Sequence, residues 1–234
     1  MTSSVKAVAF DLDSTLCRYA LSVREVTALA IARTGLADRL DATQELADAH
    51  NSAWWAEEEV RQCPVRELRR RAWARILEER GLGDEATATR LADAYSDIRE
   101  ETGLRLIDGV PELLADLKPR YPLGILTNGP SEMQWPKLRD LGLPEIVDHI
   151  VVAGDRGVFK PDPRPFEELL GMLGADAEAT LFVGDSFEHD MVGAHAVGMQ
   201  TAWVRENGQR PPTEASITPN RVLRSVLELR EILL

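Results

Sequence analysis

Cysteine is all but absent: Cys17 and Cys63 are too few and too far apart to staple a disulfide framework or build a thiolate metal site. A reducing, cytoplasmic setting is therefore expected. Long hydrophobic runs are missing too, and none approaches the ~18–20 residues of a membrane span. The first residues, Met1-Thr2-Ser3-Ser4-Val5-Lys6, lack the charged head, apolar middle and cleavage site of a secretion signal. Neither export nor a membrane is expected. Positive charge is in deficit: 27 Lys and Arg face 39 Asp and Glu, for a net charge of −12, and there is no basic tail. That balance argues against a nucleic-acid surface. It leaves room for an anionic small molecule, because a bound metal ion reverses the sign of a site.

What is present is 234 residues, 44% hydrophobic and 28% charged, enough for one large domain or a domain carrying an insertion. Five short apolar runs bounded by Gly, Asp or Asn read as buried parallel strands: Val5–Phe10, Leu123–Leu126, Ile150–Ala153, Leu181–Val183 and Thr201–Val204. Helical patterns alternate with the later ones, at Pro111–Leu117, Glu132–Leu141, Pro165–Leu173 and Asp190–Val197. Alternation of this kind predicts an α/β fold, a doubly wound parallel sheet. Residues 18–103 break the rhythm and read as helix after helix. Val65, Leu68, Ala72 and Ile76 share one face, and Leu91, Tyr95 and Ile98 another behind the N-cap Asp84. The run from Arg205 to Pro212 predicts a loop, followed by a short strand and a last helix near Ser225–Leu233.

Chemistry gathers where predicted strands end. Asp11-Leu12-Asp13-Ser14-Thr15 follows the first strand and sets two carboxylates with one residue between them, a costly choice unless a cation or proton compensates. Thr127-Asn128-Gly129 closes the second strand, where a hydroxyl and successive backbone N–H groups suit a phosphoryl oxygen. Lys160-Pro161 stands out because lysine occurs only at Lys6, Lys118, Lys137 and Lys160. Gly184-Asp185-Ser186, with Asp190 beyond, brings hard oxygen donors suited to Mg²⁺. Each of these alone is an ordinary turn or helix cap. Their order and spacing together are specific.

Asp-x-Asp-x-Thr, then Thr, then Lys-Pro, then Gly-Asp-Ser-x4-Asp resembles the haloacid dehalogenase superfamily over essentially the whole chain. The return segment Gly109-Val110-Pro111-Glu112-Leu113-Leu114 is also similar to it. The resemblance implies a core of residues 1–17 and 104–234, with sheet order 3-2-1-4-5, and a helical cap of residues 18–103. It implies that Asp11 is a nucleophile forming an aspartyl-phosphate and Asp13 an acid and base. Thr127, the backbone around Asn128, and Lys160 would hold the phosphoryl group. Mg²⁺ would be bound by Asp11, the Asp13 carbonyl and Asp185, with Asp190 behind it accepting from a metal-bound water or from Lys160. A cap closing about its two crossings would exclude water.

Asp13 narrows the branch. Carbon–halogen cleavage needs no acid–base carboxylate there, and no lysine lies between Lys6 and Lys118 to form the Schiff base of phosphonate cleavage. The expected function is a Mg²⁺-dependent phosphatase of a small phosphorylated metabolite, acting as a monomer or homodimer. The alternatives are a phosphosugar mutase or a non-catalytic phosphate-binding module. Leu126–Gly129, Thr201–Gly208 and Ser225–Leu229 are similar to the branch holding N-acylneuraminate-9-phosphatases and pyrimidine 5′-nucleotidases. In the cap, Trp54, Trp55 and Trp73 are expected mostly to pack a core. Arg69-Arg70-Arg71 is expected to form a solvated helix face, and His189 and His195 to sit at the surface or core edge.

Overall fold

The computed structural model describes residues 4–56, 64–205 and 217–234. The side chain of Trp55, Cys63 and the expected loop from Glu206 onward lie outside the described residues. The chain forms two compact units. One comprises Met1–Arg18 with Arg105–Leu234, and the other Tyr19–Leu104.

The first unit is built on a six-stranded sheet of β1 (Ala7–Phe10), β4 (Leu123–Thr127), β5 (His149–Val152), β6 (Thr180–Gly184), β7 (Gln200–Val204) and β8 (Arg221–Leu223). Their order is β5-β4-β1-β6-β7-β8, and every neighbouring pair is parallel. The five strands legible in the sequence thus stand in the expected 3-2-1-4-5 order, with β8 added at one edge. β1 lies in the middle and is buried on both faces, which is why Ala-Val-Ala-Phe shows no polar alternation. Helices α5 (Val110–Leu117), α6 (Ser131–Asp140), α7 (Pro163–Leu173), α8 (Val192–Ala196) and α9 (Leu229–Leu233) complete the unit. Phe166, Leu169, Phe182, Met191 and Trp203 belong to the core between sheet and helices. Phe166 meets Phe182 edge-on at 5.0 Å.

The helix expected at Asp190–Val197 starts differently. A single wide turn, Phe187–Met191, precedes α8, and Ser186 caps it by accepting from the His189 N–H. Two further strands, β2 (Cys17–Tyr19) and β3 (Leu104–Leu106), pair with each other where the chain leaves and re-enters the first unit. They were expected as plain crossings. Three-residue strands are too short to show a period.

The second unit consists of α1 (Val23–Arg33), α2 (Gln44–Ala56), α3 (Val65–Glu79) and α4 (Glu85–Thr102). Local signals set the ends. Ser22 and Glu25 form a capping box on α1, and Asp84 accepts from the Thr87 N–H to open α4. Leu68, Ala72, Ile76, Leu91, Tyr95 and Ile98 are all buried, as their spacing required. Trp73 is wholly buried and Trp54 nearly so. The arginine run does not stay on one solvated face. Arg70 and Arg71 pair with Glu67, but Arg69 turns inward to Ser96 Oγ at 2.7 Å. It lies one helical turn before Trp73, on the edge of the buried stripe, so burial wins over charge there.

Candidate active site

Phe10 is level with Ile125 on one side and Val183 on the other. Asp11 therefore leaves the sheet between Thr127 and Asp185, on strands roughly 4.8 Å apart. Ligands bind at this carboxyl edge in open α/β sheets. Asp11 is 7% exposed. Its Oδ1 accepts from Lys160 Nζ at 2.7 Å, and its Oδ2 from Thr15 Oγ1 at 3.1 Å.

Lys160 is equally buried. Its Nζ also donates to Asp190 Oδ1 at 2.7 Å and to the Leu126 carbonyl at 3.0 Å. An ammonium has three N–H groups, and these acceptors use all of them. Lys160 thus acts first on Asp11, fixing the carboxylate that faces the crevice. The Asn128 side chain clamps the Lys160 backbone from both sides: Oδ1 accepts from its N–H at 2.9 Å and Nδ2 donates to its carbonyl at 3.1 Å. The amide side chain of Asn128 is thereby engaged with the Lys160 backbone.

Thr127 is buried and accepts at Oγ1 from Gln134 Nε2 at 3.0 Å. Asp13 stands apart from the other carboxylates. Lys137 Nζ donates to both its oxygens, at 2.9 and 2.8 Å, and Gln134 Nε2 to Oδ2 at 3.0 Å. Gln134 and Lys137 were not singled out by the sequence reading as site residues. They lie three apart on α6, and their signal was a scarce lysine eight residues beyond Gly129. His189 is half-buried and His195 exposed, and neither joins this constellation.

Asp190 accepts from Lys160 at Oδ1 and from the Ser186 N–H at Oδ2, 2.9 Å away. Gly184 makes room for it, since a Cβ there would overlap the Asp190 carboxylate. Gly184→Ala is expected to displace that carboxylate and destabilise the fold by ~1–3 kcal/mol, measured by urea unfolding. The Asp185 carbonyl accepts from Trp203 Nε1 at 2.9 Å, which fixes the backbone from which its carboxylate projects.

One carboxylate oxygen from each of Asp11, Asp185 and Asp190 lies within 4.8 Å of the others. Burial pushes Asp11 above the ordinary carboxylate range; Lys160 opposes the shift, and the charges of Asp190 and Asp13 add to it. Burial, then Asp11 and Asp190, push Asp185 up to about 8. Lys160 feels burial pulling its ammonium down, but Asp11 and Asp190 outweigh this and hold it above its usual value. One ammonium against these three carboxylates, two of them buried and Asp185 half-buried, leaves negative charge uncompensated. A hard divalent cation fits that donor set.

A pH dependence follows. The folded protein binds the Asp185 proton more tightly than the unfolded chain, where the carboxylate titrates near 3.8. The contribution to stability is fully present below pH 3.8 and lost as the pH rises to about 8. In EDTA, thermal stability is expected to fall across this window. Added Mg²⁺ should raise the melting temperature more at pH 8 than at pH 5; an equal rise at both would contradict the assignment.

The haloacid dehalogenase-like hydrolase family matches residues 5–198. The HAD-hydrolase YfnB of Bacillus subtilis is 30% identical over 232 residues, covering 97% of this chain and 95% of that protein. Its magnesium-bound crystal structure, described as revealing interdomain movement, superposes with a TM-score of 0.72 over 99% of both chains at 28% identity. N-acylneuraminate-9-phosphatase of Homo sapiens is 27% identical across 99% of this chain and 94% of its own. Phosphoglycolate phosphatase of Yersinia pseudotuberculosis is 33% identical across 83% and 78%. With the parallel sheet and the acidic cluster at its carboxyl edge, these matches place the chain in the haloacid dehalogenase-like hydrolase family.

Proposed function

We propose that this hydrolase is a Mg²⁺-dependent phosphatase of a small phosphorylated metabolite, working through an aspartyl-phosphate. One observation carries the reading. Two carboxylates two residues apart sit in opposite settings: Asp11 is buried against Lys160, and Asp13 is 37% exposed at its side chain and held from the other side by Lys137. Divergent environments are how paired carboxylates divide a nucleophile's work from an acid's. The named phosphatases among the relatives support the same class of reaction.

Asp11, oriented by Lys160 and Thr15, attacks phosphorus, forming an Oδ–P bond as the ester P–O bond breaks. Protonated Asp13 gives its proton to the departing alcohol oxygen, then as carboxylate takes one from the water that hydrolyses the acyl phosphate. The Thr127 hydroxyl and the N–H groups near Asn128 hold the equatorial oxygens. Asp11, Asp185 and the Asp13 carbonyl would hold Mg²⁺, which would supply positive charge for the phosphoryl oxygens. Carbon–halogen cleavage has no use for an acid–base carboxylate at Asp13.

Release of inorganic phosphate from 4-nitrophenyl phosphate tests the reading. Turnover is expected with Mg²⁺ and its loss in EDTA, and metal-independent turnover would refute it. Conversion of a sugar 1-phosphate to its 6-phosphate without net release would assign a mutase instead. Silence over a broad panel of phosphate esters would assign a binding module.

A further inference from the structure

Among the described residues, the unit of Tyr19–Leu104 draws two arginines, Arg69 and Arg99, away from solvent without pairing either to a carboxylate. Its other paired arginines behave conventionally: Arg33 meets Glu101, Arg66 meets Asp93, Asp97 and Glu100, and Arg70 and Arg71 meet Glu67. Among the described residues, Arg69 and Arg99 form no ion pair. Arg69 donates to Ser96 Oγ. Arg99, 9% exposed, donates to the Leu21 carbonyl at 2.6 Å and to Tyr95 Oη at 3.1 Å. A guanidinium carries five N–H donors, so among the described residues most of those on Arg69 meet no acceptor.

The two cations share a wall. Their guanidinium carbons lie 5.2 and 5.4 Å from the centroid of the same Tyr95 ring. Trp54 flanks Arg69 at 5.6 Å, and Tyr19 flanks Arg99 at 4.3 Å. Aromatic faces stabilise a guanidinium, but they return no negative charge. His50 adds an independent sign of an unfilled polar site. It is 4% exposed and stacked on Trp73 at 4.6 Å and Tyr95 at 4.9 Å, and its Nε2 is buried without a hydrogen-bond partner. Burial, then Arg69 and Arg99, push this imidazole down to about 3, so it is neutral at physiological pH. Burial also lowers Arg69, with Tyr95 and Tyr19 opposing the shift and Arg99 and Arg66 adding to it.

Burying like charges side by side is costly unless a counter-charge arrives. We propose that Arg69 and Arg99 form an oxyanion site of the inserted unit, and that its occupant bears a carboxylate. A planar carboxylate matches the guanidinium fork bidentately. That carboxylate belongs either to the phosphate ester being hydrolysed or to a separate small carboxylic acid. The first source rests on the phosphatase reading, and the second does not.

Calorimetric titration with malonate tests the site directly in the full chain. Saturable binding is expected in wild type and in Asp11→Asn, weakened at least tenfold in Arg69→Met and less in Arg69→Lys, which keeps the charge without the fork. Kinetics on 2-phosphoglycolate and ethyl phosphate separate the sources, since the two esters differ by the carboxylate. A KM rise of tenfold or more in Arg69→Met for 2-phosphoglycolate alone assigns the carboxylate to the substrate. Arg69-dependent malonate binding with equal KM values for the two esters assigns it to a free acid. Malonate affinity indifferent to Arg69→Met, or no binding together with equal KM changes for both esters, overturns the proposal. A lower melting temperature in Arg69→Met with neither ratio altered has the same meaning, because it marks a packing role only. If neither ester is hydrolysed, the phosphatase reading fails and the titration alone decides the anion site.

Discussion

Asp11→Asn is expected to cut phosphate release from 4-nitrophenyl phosphate by a factor on the order of 10⁴ or more, with little change in fold. The amide has nearly the same shape and still accepts at Oδ1 from Lys160, whose Nζ lies 2.7 Å from that position. What it loses is nucleophilicity, since an amide oxygen does not form the acyl phosphate. Rate should therefore fall while the far-ultraviolet spectrum stays that of wild type. Stopped-flow capture of a phosphorylated protein in wild type and its absence in the variant completes the measurement. Comparable turnover in the two proteins would remove Asp11 from the chemistry and the proposed mechanism with it.

Lys160→Met is expected to damage stability as well as activity. Both side-chain partners of Lys160 are buried: Asp11 has a side-chain exposure of 9% and Asp190 of 1%. Removing one member of such a cluster leaves carboxylates facing each other without their cation, a loss of ~3–5 kcal/mol in comparable buried pairs. Protonation relieves part of the repulsion, so urea unfolding should show a larger loss at pH 8 than at pH 5. Asp190→Asn in the same chain should recover some of it, and the double-mutant cycle gives the coupling between the two groups. Activity should drop by on the order of 10²–10³, because Asp11 then loses the bond that aims it. A Lys160→Met protein as stable as wild type would show that the ammonium is not what holds these carboxylates together.

The sheet was legible because buried parallel strands are written as uninterrupted apolar runs, and Asp11, Thr127 and Asp185 stand out as polar residues at their ends. The strand order came from the resemblance, since no periodicity orders strands. Gln134 and Lys137 were harder to see. Which face of α6 meets Asp13 depends on the turn at Asn128–Pro130, whose Gly129 has φ 114°, and that geometry is not a property of the residues taken singly. Arg69 was misread for a different reason. Three consecutive arginines look like one charged surface, yet successive helix positions point ~100° apart, and one of them falls beside Trp73. β2 and β3 are too short to announce themselves.

Those two short strands bear on how such proteins diversify. The Ala20 N–H reaches the Gly103 carbonyl at 3.3 Å, and the Ile107 N–H the Leu16 carbonyl at 2.9 Å, so departure and return of the intervening chain lie side by side. A segment joined through such a narrow neck is topologically a long loop, and lengthening or shortening a loop costs little in closure entropy. Insertions of different size or character can be spliced at the neck while β1, β4 and β6 keep their register. The inserted segment is thereby free to drift without disturbing the acidic edge, an independence wired into the connectivity itself.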